Sequence, residues 1–523
     1  MALVTWSHLE GDIVNGDVYT QLLNISVDRT PTLIGSSFRV NTFSSKEQGY
    51  ADTAGFGNSV GVTWSSLDQD GSSYGIFAQN YRTSVPGQSI LGPTALIKVG
   101  TEVQVNTFTS GLQGSPSVVM LSENRMMIVW HSFNQDFSNF GVYGQAFQRP
   151  PTGTPTKTGS EFRINTRTID AQMYAHVTKL NTDNGVVVWR GTDGSGTGVF
   201  GQVLTIPVSG TPTKVGTEFQ INSYTLNDQG YSASCAVSDD HFIVTWSSAG
   251  QDGSGYGIYS QLFKFQAGTS PTKVGSEFRV NTFNTGLQGS PTITAVNDGF
   301  MITWHTEFLD SSSFAVYGKL FQFLPDTQPR AIGEEFQINT FFQNGQLSPM
   351  IAKVGPTQVL VAWISESQGT TDNDIFGQLF KINMTNFPPI TTTTAAPDDD
   401  SGSSGLSSGA KAAIGIFSAI GFLYVCCGAA KSRSGGGGSS GPSITPADRE
   451  ANETAEWAEY RAEQAKEETD RKARKSIVKE LRALEHKGVT PGPHYYPDNS
   501  GDTADHNRAK KLNQSPRQNH GCD

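Results

Sequence analysis

Two histidines, an arginine and three aspartates are the residues of this chain best placed to do chemistry. His131, Arg190 and His305 each directly follow a Trp, at a position where other copies of the same pattern carry Ser7, Ser65, Ser247 or Ile364. An imidazole or guanidinium that varies on a common frame is what a binding face would present, so these three are the candidate ligand contacts. His131 and His305 stand in non-adjacent copies, which argues against a shared metal. The second group is an Asp six residues after the Trp, at Asp12, Asp70, Asp136, Asp252 and Asp310, with Asp193 four residues after. In LDQDGSS, Asp68 joins Asp70, and with Asp252 these are the candidate ligands of calcium, the one cation such loops would take. Calcium wants about 6–8 oxygens, most of these loops offer one carboxylate, and Asp-Gly favours a hairpin turn on conformational grounds alone. No other cofactor is called for.

The elements that must position these residues are repeats. The phrase EFRVNTFNTGLQGSP, Glu277 to Pro291, has near-copies at Glu102, Glu161, Glu218 and Glu335 and a looser one from Ser37. Its Asn recurs as Asn41, Asn106, Asn165, Asn222, Asn281 and Asn339, at steps of 65, 59, 57, 59 and 58 residues. Seven residues after each stands a Gln, and farther on a Trp: Trp64, Trp130, Trp189, Trp246, Trp304 and Trp363. A second Gln, once replaced by Lys319, follows the Trp by 15 residues in all but one module. Each module reads as four strands with period-2 alternation, and QDGSGYG marks a tight hairpin between the third and fourth. Four short strands per repeat is the pattern of a β-propeller blade, a linear stack of small sheets being the alternative.

A carboxamide both donates and accepts, so the recurring Asn and Gln are expected to close hydrogen bonds inside one blade. The Trp are expected to pack between blades rather than to stack sugars, and Phe278 and Val280 to face a sheet interface. Ahead of the six complete modules, Met1 to Asn24 carries Trp6 and Gln21, again 15 apart, without the two strands that should precede them. The fold class is therefore all-β, a propeller of six complete repeats plus an N-terminal half repeat, expected to be seven-bladed. Met1 to Gly11 also lacks a basic and an apolar signal region. The two absences together lead to the expectation that a half-blade and a signal peptide lie upstream; six blades with an overhang is the competing arrangement.

The 523 residues carry a formal charge of −11, and residues 1–397 hold 20 Lys/Arg against 30 Asp/Glu, which gives no basic face for nucleic acid. Of four Cys, only Cys235 lies in the repeats, so no disulfide or zinc cluster forms there. The propeller is assigned to 1–384 and a Thr/Pro/Asp/Ser/Gly-rich stalk to 385–410. A transmembrane helix is assigned to 411–430, where Ala412 to Ala430 runs 19 residues without a charge. Lys431 and Arg433 on one side and Asp398 to Asp400 on the other orient the N-terminus outside and the C-terminus in the cytoplasm. The sequons at Asn24 and Asn383 are then N-glycosylation candidates, and Cys426 and Cys427 are candidate palmitoylation sites. A Gly/Ser linker at 431–444 leads to a charged helix at 445–488, acidic then basic, which would meet a cytoplasmic partner or the inner leaflet. Residues 489–523 read as a disordered tail.

The phrases VGSEFRVNT, GLQGSP, FIVTWSS and GQDGSGYGIYSQLF resemble the roughly sixty-residue tandem repeats of large secreted and surface-attached bacterial proteins, often found beside hemolysin-type calcium-binding repeats. The likeness covers residues 1–383 and implies an extracellular, propeller-like repeat domain with adhesive or recognition roles; it supplies no catalytic residue. The sequence thus leads to a single-pass protein of the plasma membrane or another cell-surface membrane, whose ectodomain binds an extracellular glycan or protein without catalysis. A structural surface coat and a glycoside-acting ectoenzyme are the alternatives.

Overall fold

The computed structural model describes residues 1–9, 16–25, 30–83, 96–307, 309, 313–366, 368–369 and 373–382. The stalk, the transmembrane segment, the charged helix and the tail, with Asn383, Cys426 and Cys427, lie outside them. The described residues form 26 strands in seven antiparallel sheets, each a meander in chain order. Blade 1 is β1 (Ala2–Leu9), β2 (Gly16–Asn24) and β3 (Thr32–Arg39). Blade 2 is β4 (Gln48–Phe56), β5 (Ser59–Leu67), β6 (Tyr74–Thr83) and β7 (Leu96–Gln104). Blade 3 runs through β8 (Gln113–Ser122), β9 (Arg125–Phe133), β10 (Phe140–Gln148) and β11 (Thr156–Arg163). Blade 4 has β12 (Gln172–Lys179), β13 (Asn184–Thr192), β14 (Thr197–Thr205) and β15 (Thr213–Gln220). Blade 5 has β16 (Gln229–Ala236), β17 (His241–Ala249), β18 (Tyr256–Lys264) and β19 (Thr272–Arg279). Blade 6 has β20 (Gln288–Val296), β21 (Gly299–Glu307), β22 (Phe314–Gln322) and β23 (Arg330–Gln337), and blade 7 has β24 (Gln346–Gly355), β25 (Gln358–Glu366) and β26 (Asn373–Lys381).

The blade is offset by one strand from the sequence repeat. The phrase EFRV does not open a blade; it closes the one before, since Arg279 and Phe278 pair with Tyr259 and Ser260 of β18. The chain then crosses to the next sheet, where Gln288 begins the inner strand. First strands of successive blades pack side by side around the ring axis, β4 on β8, β8 on β12 and onward to β24.

The seven blades close into a ring. Every boundary between neighbours holds one buried apolar cluster, from Val18, Val62 and Trp64 between blades 1 and 2 to Ile338, Val361 and Trp363 between blades 6 and 7. Ala2, Val4, Trp6 and Leu23 meet Ala352, Leu360 and Ala362 to join blade 7 to blade 1. Each Trp sits on a second strand and fills the boundary with the preceding blade, as expected of packing. Trp64, Trp130, Trp189 and Trp246 are wholly buried, and burying an aromatic side chain supplies about 1.5–3 kcal/mol. Val280 is buried and Phe278 packs against the cluster between blades 5 and 6, as expected of the phrase.

The Asn–Gln pair spans two blades instead of closing one. Asn281, just past β19, accepts the Ile258 N–H of β18 at 2.7 Å and donates to Gln288 of β20 at 3.2 Å. The same pair joins Asn41 to Gln48 at 2.9 Å, Asn106 to Gln113 at 3.2 Å and Asn165 to Gln172 at 3.0 Å. Asn222 reaches Gln229 at 3.0 Å and Asn339 reaches Gln346 at 3.1 Å. The bonds cross because the Asn ends an outer strand and the Gln starts the next blade's inner strand. The second Gln has a different partner. Gln261 Nε2 donates to the Val274 and Gly275 carbonyls, at the register shift between β18 and β19 that leaves Gln261 itself without a pairing partner on β19. The phrase's Glu is also structural: Glu277 Oε2 accepts the Ser223 N–H of the preceding connection.

Candidate functional site

Outer strands end beside the start of third strands, with Gln104 opposite Phe77, so the blade-to-blade connections and the second-to-third-strand hairpins share one pole of the ring. His131, Arg190, His305, Asp68, Asp70 and Asp252 all lie at this pole, while Asp12 and Asp310 lie outside the described residues. The inner strand enters it through a bulge: Tyr50 and Ala51 lie between the paired Gly49 and Asp52. The residue two after each phrase Gln has a positive φ, at 52° for Tyr50, 48° for Ser115, 57° for Tyr174, 53° for Tyr231, 48° for Ser290 and 49° for Ser348. This left-handed conformation costs a non-glycine residue about 1–2 kcal/mol, and six inner strands repeat it.

The residues after Trp lie behind these bulges. His131 is buried, with Phe140 edge-on at 5.0 Å and Tyr174 of the next blade at 5.6 Å. Its Nδ1 accepts the Tyr174 N–H at 3.5 Å, a long contact to a bulge amide outside the ladder. His305 does the same for Ser348 at 3.5 Å and packs on Phe314. Burial holds the His131 imidazole down to about 3 and His305 down to about 4, so both are neutral acceptors at physiological pH. Arg190 is half-buried and donates to Thr197 Oγ1 at 3.1 Å. Its side chain lies against Gly230 of blade 5, where a Cβ would stand 3.0 Å from Cδ. The three sit inside blade boundaries and are engaged there.

The three aspartates are not brought together. Asp70 lies in the hairpin of blade 2, accepting the Ser72 N–H at 3.3 Å and Asn106 Nδ2 at 3.0 Å, and burial raises its pKa. Asp68, with φ 60°, faces Lys46 at 3.5 Å on the surface. Asp252 is in blade 5 and accepts the Ser254 N–H at 3.2 Å. Among the described residues no three His, Cys, Asp or Glu side chains form a set able to hold a metal ion. The Asp70 and Asp252 carboxylates cap turns, which is what Asp does by itself in such hairpins. Asn24 is exposed at the end of β2.

One residue at this pole went unnoticed in the sequence. Phe137, at the tip of the blade 3 hairpin, is 96% exposed and has φ 63°. The corresponding turns carry Gly71 at φ 91°, Gly194 at 101° and Gly253 at 87°. Phe137 thus takes a conformation suited to glycine and buries nothing in return. Ile169, Leu226 and Phe342, also more than half exposed, stand on connections at the same pole. The signal was QDF at 135–137 where the frame has QDG.

No protein-family model matches the chain. No curated protein matches it either. Among solved structures, a protein of unknown function from Dyadobacter fermentans is similar at 8% identity and a TM-score of 0.39, over 64% of this chain and 95% of that one. A thermostable family-43 glycoside hydrolase is similar at 10% identity and a TM-score of 0.30, over 56% of this chain and 96% of its own. An endo-arabinase from Bacteroides thetaiotaomicron is similar at 12% identity and a TM-score of 0.29, over 50% of this chain and 92% of its own.

Proposed function

We propose that this chain is a single-pass cell-surface protein whose propeller recognises an extracellular glycan or protein through the pole that carries the hairpins and blade-to-blade connections. The observation that carries the reading is Phe137, an aromatic side chain held fully exposed in a left-handed turn position that glycine fills in other blades. A protein that keeps backbone strain at a solvent-exposed tip gains nothing in stability from it, and such strain accumulates at binding sites. An aromatic face suits either the apolar face of a sugar ring or an apolar pocket on a protein. The membrane placement rests on the uncharged run from Ala412 to Ala430 and its flanking charges. In this reading the charged helix meets a cytoplasmic partner or the inner leaflet.

The test is a binding screen of the full chain in detergent micelles on glycan arrays and on cells, with Phe137→Gly beside it. Binding that the variant loses supports the reading. Self-association without any ligand would favour a surface coat instead, and turnover of glycosides would favour an ectoenzyme.

A further inference from the structure

Between the outer strand of blade 2 and the connection that reaches it from blade 1 lies a cavity of about 510 Å³, lined by Thr42, Gln69, Phe77, Lys98 and Glu102 among others. That volume suits a small ligand. We propose that the cavity binds a sugar acid, a pyranose ring that carries hydroxyl groups and one carboxylate. The assignment rests on the reading of the hairpin pole as a recognition face and narrows the class of glycan taken there.

In four other blades the same cleft is closed by a cation of the protein itself. Lys157, two residues before Gly159 on β11, donates to the Asn106 carbonyl at 3.3 Å and to Thr107 Oγ1 at 3.2 Å. Lys214 of blade 4 donates to the Asn165 carbonyl and Thr166 Oγ1, both at 3.1 Å. Lys273 of blade 5 reaches Ser223 Oγ at 2.9 Å. In blade 6 this position holds Ala331, and Lys319, which replaces the repeat's second Gln, reaches Thr282 Oγ1 at 3.0 Å instead. Blade 4 also has the ring that corresponds to Phe77, Phe200, and the Arg167 guanidinium lies over it at 5.9 Å. Blade 2 departs from all four. Lys98 is exposed and, among the described residues, makes no hydrogen bond or ion pair. Thr42 Oγ1 donates to Glu102 Oε2 at 2.9 Å, and the cleft stays open.

Its walls are fixed before any ligand arrives. Glu102 accepts the Thr42 N–H at 2.8 Å as well as Thr42 Oγ1, and its Oε1 accepts Gln69 Nε2 at 2.5 Å. With a single donor, Oε1 keeps a lone pair for a ligand hydroxyl. On the side toward blade 3, Thr154 Oγ1 accepts the Thr101 N–H at 3.1 Å. Gly100 stands against the backbone of Gly153 and Thr154, where a Cβ would fall 2.5 Å from both. Phe77 supplies the apolar surface that a pyranose face packs on. A neutral sugar would leave the Lys98 ammonium in water, and a simple anion would meet the Glu102 carboxylate. A ring with hydroxyls for Glu102 and a carboxylate for Lys98 uses both, the second through a charge-assisted hydrogen bond.

Calorimetric titration of the full chain in detergent with D-glucuronate tests this. The expected result is saturable binding at one site per chain, with D-glucose bound about tenfold more weakly, the worth of one charge-assisted hydrogen bond. Lys98→Gln, a change at an exposed side chain, should lose that preference for the acid, whereas Lys157→Gln should keep it. A trisaccharide that ends in glucuronic acid separates the two sources of the ligand: tighter binding than the monosaccharide assigns a glycan terminus, equal binding the free acid. Array binding that Phe137→Gly loses, in a chain that does not take up glucuronate, would overturn this assignment and leave the recognition pole standing. Absence of saturable glucuronate binding, equal affinity for glucose, or an unchanged preference in Lys98→Gln would each overturn the proposal.

Discussion

Asn281 and Gln288 meet at 3.2 Å across the boundary between blades 5 and 6, with the Asn281 carbonyl oxygen on the Ile258 N–H of one blade and the Gln288 amide on the Thr285 carbonyl of the connection. The pair ties the end of one sheet to the start of the next where no ladder runs between them. Both side chains are almost wholly buried, so an unmade bond there is not recovered by water.

Removing this clamp should cost stability without touching recognition. Asn281→Ala leaves a buried N–H and a buried Gln oxygen without their partner and should destabilise by about 2–4 kcal/mol. Gln288→Ala should cost a comparable amount, and the double variant less than the sum, because the two act as one unit. Denaturant unfolding of the three variants measures this; additive losses would show that the two side chains work separately.

The buried histidines set a pH dependence. His131 is held down to about 3 and His176 and His305 to about 4, in each case by burial, against about 6.5 in the unfolded chain. The unfolded state therefore binds protons first as pH falls. The stability these groups contribute is fully present above about 6.5 and is lost as pH falls toward 4. The thermal midpoint should drop across that window, and His131→Gln, which keeps an acceptor without the titration, should make the drop shallower. A midpoint independent of pH between 7 and 4.5 would contradict this, those limits being about the window that the unperturbed imidazole value sets.

Chelation should leave the propeller unchanged. Asp70 and Asp252 already cap their own hairpins, and Asp68 faces Lys46. Adding EDTA is expected to leave both the thermal midpoint and binding as they were. A fall in the midpoint that calcium alone restores would give these carboxylates the metal role that their spacing suggests.

Much of the architecture was legible because it repeats. Trp and Gln at constant spacing marked the blades, and the half repeat around Trp6 gave the seventh. What the sequence order concealed was which strands share a sheet. The phrase reads as the start of a module, yet its strand hydrogen-bonds backward to β18, so the clamp expected within a blade runs between blades. The candidate site was less legible. His131, Arg190 and His305 were picked because they vary, but a variable residue on a strand can face a neighbouring blade as readily as solvent, and period-2 patterning does not distinguish the two. Phe137 was passed over because a lone Phe in a polar turn has no periodicity; its meaning lies in its φ and its exposure.

Exchanging Phe137 for glycine separates recognition from folding and tests the central claim most directly. The substitution relieves a left-handed phenylalanine, worth about 1 kcal/mol, so Phe137→Gly should unfold at the same temperature as the unaltered chain or slightly above it. Its binding to the glycan or protein ligand found by the screen, titrated on the full chain, should weaken by tenfold or more. Binding equal to that of the unaltered chain, in a protein equally stable, would contradict the assignment of recognition to this pole.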